Sequence, residues 1–157
     1  MLSLPHIARI AWRCAGYPGL FSGLVSAAAL LWRGSSELRR AVAPINAPSH
    51  WVWGTRALRE NQVSWRYTGL GTATHLASAM LWGALFDALR RRRMRPTTAN
   101  AVADAALVTA TAACVDFVAV PKRLTPGFEH RLSQRGLLWV YAGFAAGLVM
   151  GAAMTKR

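Results

Sequence analysis

Four apolar stretches divide the chain. The first, about 14–32 (CAGYPGLFSGLVSAAALLW), carries no charge, and neither does the fourth, 137–154. The second, 68–87, contains His75 and ends on Asp87, while the Ala-rich third, 99–120, contains Asp104 and Asp116. Each is close to the roughly 20 residues that a helix needs to cross hydrocarbon. Helices of a soluble bundle would carry a polar face, and 14–32 and 137–154 offer none beyond Ser, Tyr and Gly. The pattern predicts an all-α fold: an integral membrane four-helix bundle, a single domain over 1–157, with a long interfacial loop between spans one and two.

At the N-terminus, Arg9 and Arg13 precede an apolar run with small residues at Ser26, Ala27 and Ala28, as in a signal peptide. The run continues through Leu30, Leu31 and Trp32, so it reads as an uncleaved span. Residues 2–12 are expected to form a short interfacial helix, set apart by Pro18-Gly19, with His6 at the surface.

Small residues mark the helix faces. Gly71, His75, Ala79, Gly83 and Asp87 recur every four residues, as do Asn100, Asp104, Val108, Ala112 and Asp116. Residues four apart share one helical stripe. In an antiparallel hairpin these two stripes match, which pairs His75 with Asp116, Ala79 with Ala112, Gly83 with Val108 and Asp87 with Asp104. The expectation is close contact between spans two and three, because small residues let backbones approach. Gly19-Gly23-Ala27 and Gly143-Gly147-Gly151 read as further packing surfaces, within a compact bundle or for a homo- or hetero-oligomeric partner.

Charge narrows the class. Apolar residues make up 54% of the chain, yet the net charge is +13 and 17 of the 19 basic residues are Arg. That combination excludes intrinsic disorder, an acidic tail and an ordinary soluble enzyme surface, and it suits a bilayer with anionic headgroups. The arginines divide between the two ends of the spans instead of forming one patch, so no nucleic-acid partner is expected. Arg90, Arg91, Arg92, Arg93 and Arg95 crowd a very short loop, which places that loop, and with it both termini, on the cytoplasmic side of an inner membrane (N-in, C-in). Arg90, Arg91, Arg92, Arg93, Lys122 and Arg123 are the headgroup-binding candidates. Cys14 and Cys114 make no disulfide framework and are expected at different depths, unpaired.

An ionisable group within hydrocarbon needs a partner or a purpose. Asp87 and Asp104 lie within reach of the Arg cluster, whose side chains can snorkel to them. His75 and Asp116 have no basic neighbour in their own spans, and the expected arrangement is a neutral imidazole bonded to the carboxylate. On the same side, 44–54 (PINAPSHWVWG) reads as a short surface helix capped by Ser49, and 121–130 (PKRLTPGFEH) brings Glu129 and His130 around a Pro-Gly turn. His75, Asp116, His50, Glu129 and His130 form the candidate polar or ligand site. HExxH, CxxC, GxSxG and phosphate-loop motifs are absent, so no catalytic residue is assigned and no cofactor is expected, a metal or haem at this cluster being the alternative. The expected function is that of a small multi-pass inner-membrane protein, structural or accessory, as a subunit of a membrane assembly. The alternatives are ion, proton or small-ligand handling at His75 and Asp116, and a metal-supported membrane enzyme.

Overall fold

The computed structural model describes residues 4–94 and 97–155, and the backbone alone for 4–15. Arg95, Lys156, Arg157 and the side chains of His6, Arg9, Arg13 and Cys14 lie outside the described part. Four long helices dominate: α1 (Leu4–Leu38), α2 (Leu70–Arg91), α3 (Thr98–Cys114) and α4 (Gln134–Met154). Among the described residues there is no strand. Two helical stretches are long and apolar enough to cross a membrane: Thr98–Ala119, mean hydropathy 1.7, and Gln134–Met154, mean hydropathy 1.8.

Local chemistry sets the helix ends. Ser64, Thr97 and Ser133 each accept a hydrogen bond from the backbone N–H three residues on, at Tyr67, Asn100 and Gly136, all at 3.1 Å. These are ordinary side-chain N-caps. The Ser64 cap opens a π-helical turn, Trp65–Gly69, that leads into α2. A second π-helical turn, Val115–Ala119, carries α3 onward to Pro121, where the missing N–H stops it.

The N-terminal expectation needs correction. α1 is continuous from Leu4 to Leu38 with Pro18 inside it, so residues from Leu4 onward form no separate interfacial helix. Pro18 is fully buried against Gly151, whose absent Cβ would lie 2.4 Å from the Pro18 Cα. Tight packing by neighbours is what lets a helix carry proline through its interior.

α1 is flanked by α2 and α4, and α3 closes the far side against α4 and α2. The glycine stripes are spent on α1. A Cβ at Gly83 would meet the Gly19 Cα at 2.3 Å, and one at Gly147 would meet the Ser22 Cα at 2.4 Å. The expected rung-for-rung hairpin of α2 on α3 is therefore wrong along most of its length. Gly83 is matched with Gly19 of α1, not with Val108, and its missing Cβ is what lets the two backbones come that close. α2 and α3 do meet toward the Arg-rich turn, where Phe86 packs with Ala105, Val108, Phe144 and Leu148 of α3 and α4.

The stretch between α1 and α2 is part buried and part surface: a short helix, His50–Trp53, exposes Val52 and Trp53, but the residues just before it do not lie on the surface. Residues 43–50 are all buried, and Asn46 at their centre is fully satisfied. Its Nδ2 donates to the Glu60 and Gln62 carbonyls (3.2 and 3.1 Å), and its Oδ1 accepts from the Thr68 hydroxyl (2.7 Å). Ser49 caps no helix: its hydroxyl donates back to the Asn46 carbonyl at 2.7 Å. The segment is a folded plug seated on α2, where the Ile45 carbonyl occupies the space a Cβ at Gly71 would need.

Candidate functional site

Below the plug lies a cavity of about 280 Å³. α2 contributes Thr74, His75 and Ser78, α3 and its π-helical turn contribute Ala112, Val115 and Asp116, and α4 contributes Val140, Tyr141 and Phe144. Ser26 of α1 forms part of the wall, and Pro48, Trp51, Pro126 and Phe128 roof it from the two loops. Sites for small organic molecules begin at roughly this size, with mostly apolar walls and a few placed polar groups.

The roof is fastened in place. Trp51 Nε1 donates to the Thr125 carbonyl at 2.9 Å, and Arg131 donates to the Leu58 carbonyl (2.7 Å) and to Asn61 Oδ1. Gly127 turns at φ 87°, and a side chain there would strike His50 Nδ1 at 2.7 Å and the Ala47 carbonyl at 2.9 Å. Glycine is required by both the angle and the space.

His75 and Asp116 share this cavity but have separate partners. His75 Nε2 lies 2.9 Å from Ser26 Oγ, whose own proton goes to the Ser22 carbonyl at 2.6 Å. With that proton committed, the hydrogen-bond network assigns the donor role to Nε2 and leaves the lone pair on Nδ1. Asp116 Oδ2 accepts from the Tyr141 hydroxyl at 2.7 Å. The expected direct His75–Asp116 bond is replaced by these two: each residue finds its partner on another helix, Ser26 of α1 and Tyr141 of α4, with the cavity between them.

The other candidates divide. His50 Nδ1 donates to the Ala47 carbonyl (2.9 Å), and its Nε2 is buried without a partner. His50 therefore belongs to the plug and is not part of the cavity wall. Both carboxylate oxygens of Glu129 are buried without a hydrogen-bond partner among the described residues, and Glu129 is not part of the cavity wall. His130 is exposed and lies 3.6 Å from Glu129. Among the described residues, no group of three or more His, Cys, Asp or Glu is arranged to hold a metal ion.

At the opposite end, Asp104 is fully buried, paired with Arg93 at 2.5 Å and with Arg90 at 4.0 Å, and Asp87 accepts from Arg91 at 2.7 Å. Arg90 is itself buried over the Phe86 ring, which takes it out of the headgroup-binding set, whereas Arg92, Lys122 and Arg123 are exposed. Cys114 is free and exposed.

Tyr141 and Ser26 were not picked out from sequence. A tyrosine hydroxyl in an otherwise apolar segment needs an acceptor, and Asp116 was the unpaired acidic residue of the neighbouring segment. That was the available signal. The roof residues carry no comparable mark. No protein-family model matches the chain, and neither does any curated protein or solved structure.

Proposed function

We propose that this is a multi-pass inner-membrane protein whose four long helices cross the bilayer and enclose a site for a small, mainly apolar ligand. The observation that carries the ligand reading is the cavity, an apolar chamber with His75 and Asp116 in its wall. The glycine stripes of α1 and α4, read as packing surfaces within the bundle or for a partner subunit, lie against α2 and α1 of the same chain, which weakens the accessory-subunit reading. The bilayer reading is supported by outward apolar side chains on every long helix, among them Leu24, Leu81, Leu107 and Leu138, each more than half exposed. Only 28% of the apolar window of each candidate span is buried, unlike the core helix of a soluble bundle.

With four spans, the short Arg-dense loop orients the chain with both termini inside. Reporter fusions after Met94 and Thr155 test this: both are expected to report the cytoplasm, and a periplasmic signal from both reverses the orientation. Signals on opposite sides overturn the four-span reading.

Ligand binding is tested by titrating 1-aminoanthracene into detergent-purified protein. The expected result is a saturable fluorescence rise, one site per chain, lost in Ala112→Phe, which fills the cavity. A rise equal in wild type and variant would be partition into the micelle and would overturn the reading.

A further inference from the structure

Asp116 and His75 place two acceptor atoms on the cavity wall, beside the Thr74 and Ser78 hydroxyls, which can donate or accept. Asp116 has one oxygen bonded to Tyr141 and the other unpaired, and His75 turns its donor to Ser26, which leaves Nδ1 with a lone pair. Among the described residues no Lys or Arg pairs with Asp116, in a chain whose net charge is +13. Glu129, outside the lining but next to the roof residue Phe128, adds a second carboxylate, both oxygens buried without hydrogen-bond partners among the described residues, and the exposed His130 lies 3.6 Å from it. Apart from Ser26, Thr74 and Ser78, the rest of the wall is aromatic and aliphatic, with Trp51, Trp82, Phe128, Tyr141 and Phe144 around one chamber. A carboxylate in such surroundings asks for a cation, and π faces add to the attraction of a nitrogen cation.

We infer that the cavity takes an amphiphilic amine, its protonated nitrogen held by Asp116 with His75 Nδ1 as second acceptor and its small apolar body lying against the aromatic wall. The inference rests on the ligand-site reading above and names the class of ligand.

Three probes with one body and different heads separate the two ideas: 4-phenylbutylamine, 4-phenylbutan-1-ol and 4-phenylbutyrate, each displacing 1-aminoanthracene from the detergent-purified full chain. The amine is expected to bind roughly tenfold or more tighter than the alcohol, the scale of one charge-assisted hydrogen bond out of water, and the acid weakest. Asp116→Asn is expected to bring the amine down to the level of the alcohol while the alcohol is unaffected, which also shows that the variant is folded. Glu129→Gln is expected to lower the preference by a smaller factor. An alcohol that binds as well as the amine to the wild-type protein overturns the amine inference and leaves the ligand site standing. Failure of all three to displace a dye whose binding Ala112→Phe abolishes likewise overturns the amine inference alone, whereas a dye that does not bind at the cavity overturns both. The wild-type series decides the matter even where a variant fails to fold.

Discussion

The two ends of the α2–α3 pair hold similar side chains and treat them differently. Toward the Arg-rich turn, each aspartate meets an arginine, and Phe86, Ala105 and Val108 fill the space between the helices. Toward the loops, Asp116 meets a tyrosine hydroxyl and, among the described residues, no arginine, His75 turns away to α1, and a cavity opens between them. A carboxylate neutralised by its neighbours and sealed in packed side chains is a fastening. A carboxylate left with a weak partner on the wall of a cavity is available to something else. Position in the bundle, and not residue type, separates structure from candidate chemistry here.

The contrast breaks most visibly at Asp104. Replacing it with Ala leaves Arg90 buried against Phe86 with no carboxylate, and losing one member of a buried pair costs on the order of 3–5 kcal/mol. Arg93, part-exposed, can turn to solvent and soften the loss. Urea or thermal unfolding in one detergent measures it. A cost no larger than that of Asp116→Asn would make the two ends equivalent.

The sequence displayed much of this arrangement. Each of the four apolar stretches coincides largely with a long helix, though the first helix overruns its stretch at both ends, and the Asp–Arg pairing at the short turn follows from long arginine side chains a turn or two away. Which helix receives a glycine stripe was not legible. Gly83 has the same spacing whether it faces Val108 or Gly19, and only three-dimensional packing chooses between them. The plug was hidden for a different reason. Its core is Ala43, Ile45, Asn46, Ala47 and Ser49, mostly small or polar residues whose burial goes with Asn46 finding backbone carbonyls fourteen and sixteen residues away.

Packing offers a second, smaller contrast. Gly83→Ala places a methyl group against the Gly19 backbone and should cost about 1–3 kcal/mol, since neither helix can yield locally. Ala112→Phe projects into the cavity and should change stability by less than about 0.5 kcal/mol while abolishing dye binding. A large loss of stability in Ala112→Phe would mean that the chamber closes in solution.

The separate partners of His75 and Asp116 have a signature in double-mutant cycles. His75→Leu and Asp116→Leu share no hydrogen bond and should add within about 0.5 kcal/mol. Asp116→Leu with Tyr141→Phe removes both ends of one bond, and their coupling should exceed that value. The reverse result would place His75 and Asp116 in direct contact and close the gap between α2 and α3.

The smallest effect concerns what holds the loop end together, if not a salt bridge between α2 and α3. Glu37, at the end of α1, accepts from the Ser133 N–H (2.8 Å) and the Ser133 hydroxyl (2.9 Å) at the start of α4, and it is paired with Arg33 in the last turns of its own helix. Burial alone would raise its pKa. The Ser133 backbone N–H, Arg33 and the Ser133 hydroxyl together outweigh burial and hold it below the ordinary 4.5. A carboxylate with a lowered native pKa contributes stability that is present above its unfolded value and disappears as pH falls through the native one. Glu37→Gln should therefore cost about 0.5–1 kcal/mol at pH 7, the usual worth of a carboxylate at a helix N-terminus. The gap between wild type and variant should stay constant down to about pH 5 and narrow below 4.5. Thermal midpoints of both proteins from pH 7 to pH 3 supply the curve. A gap that persists undiminished at the acid end would mean that Glu37 joins α1 to α4 by hydrogen bonding alone, without the use of its charge.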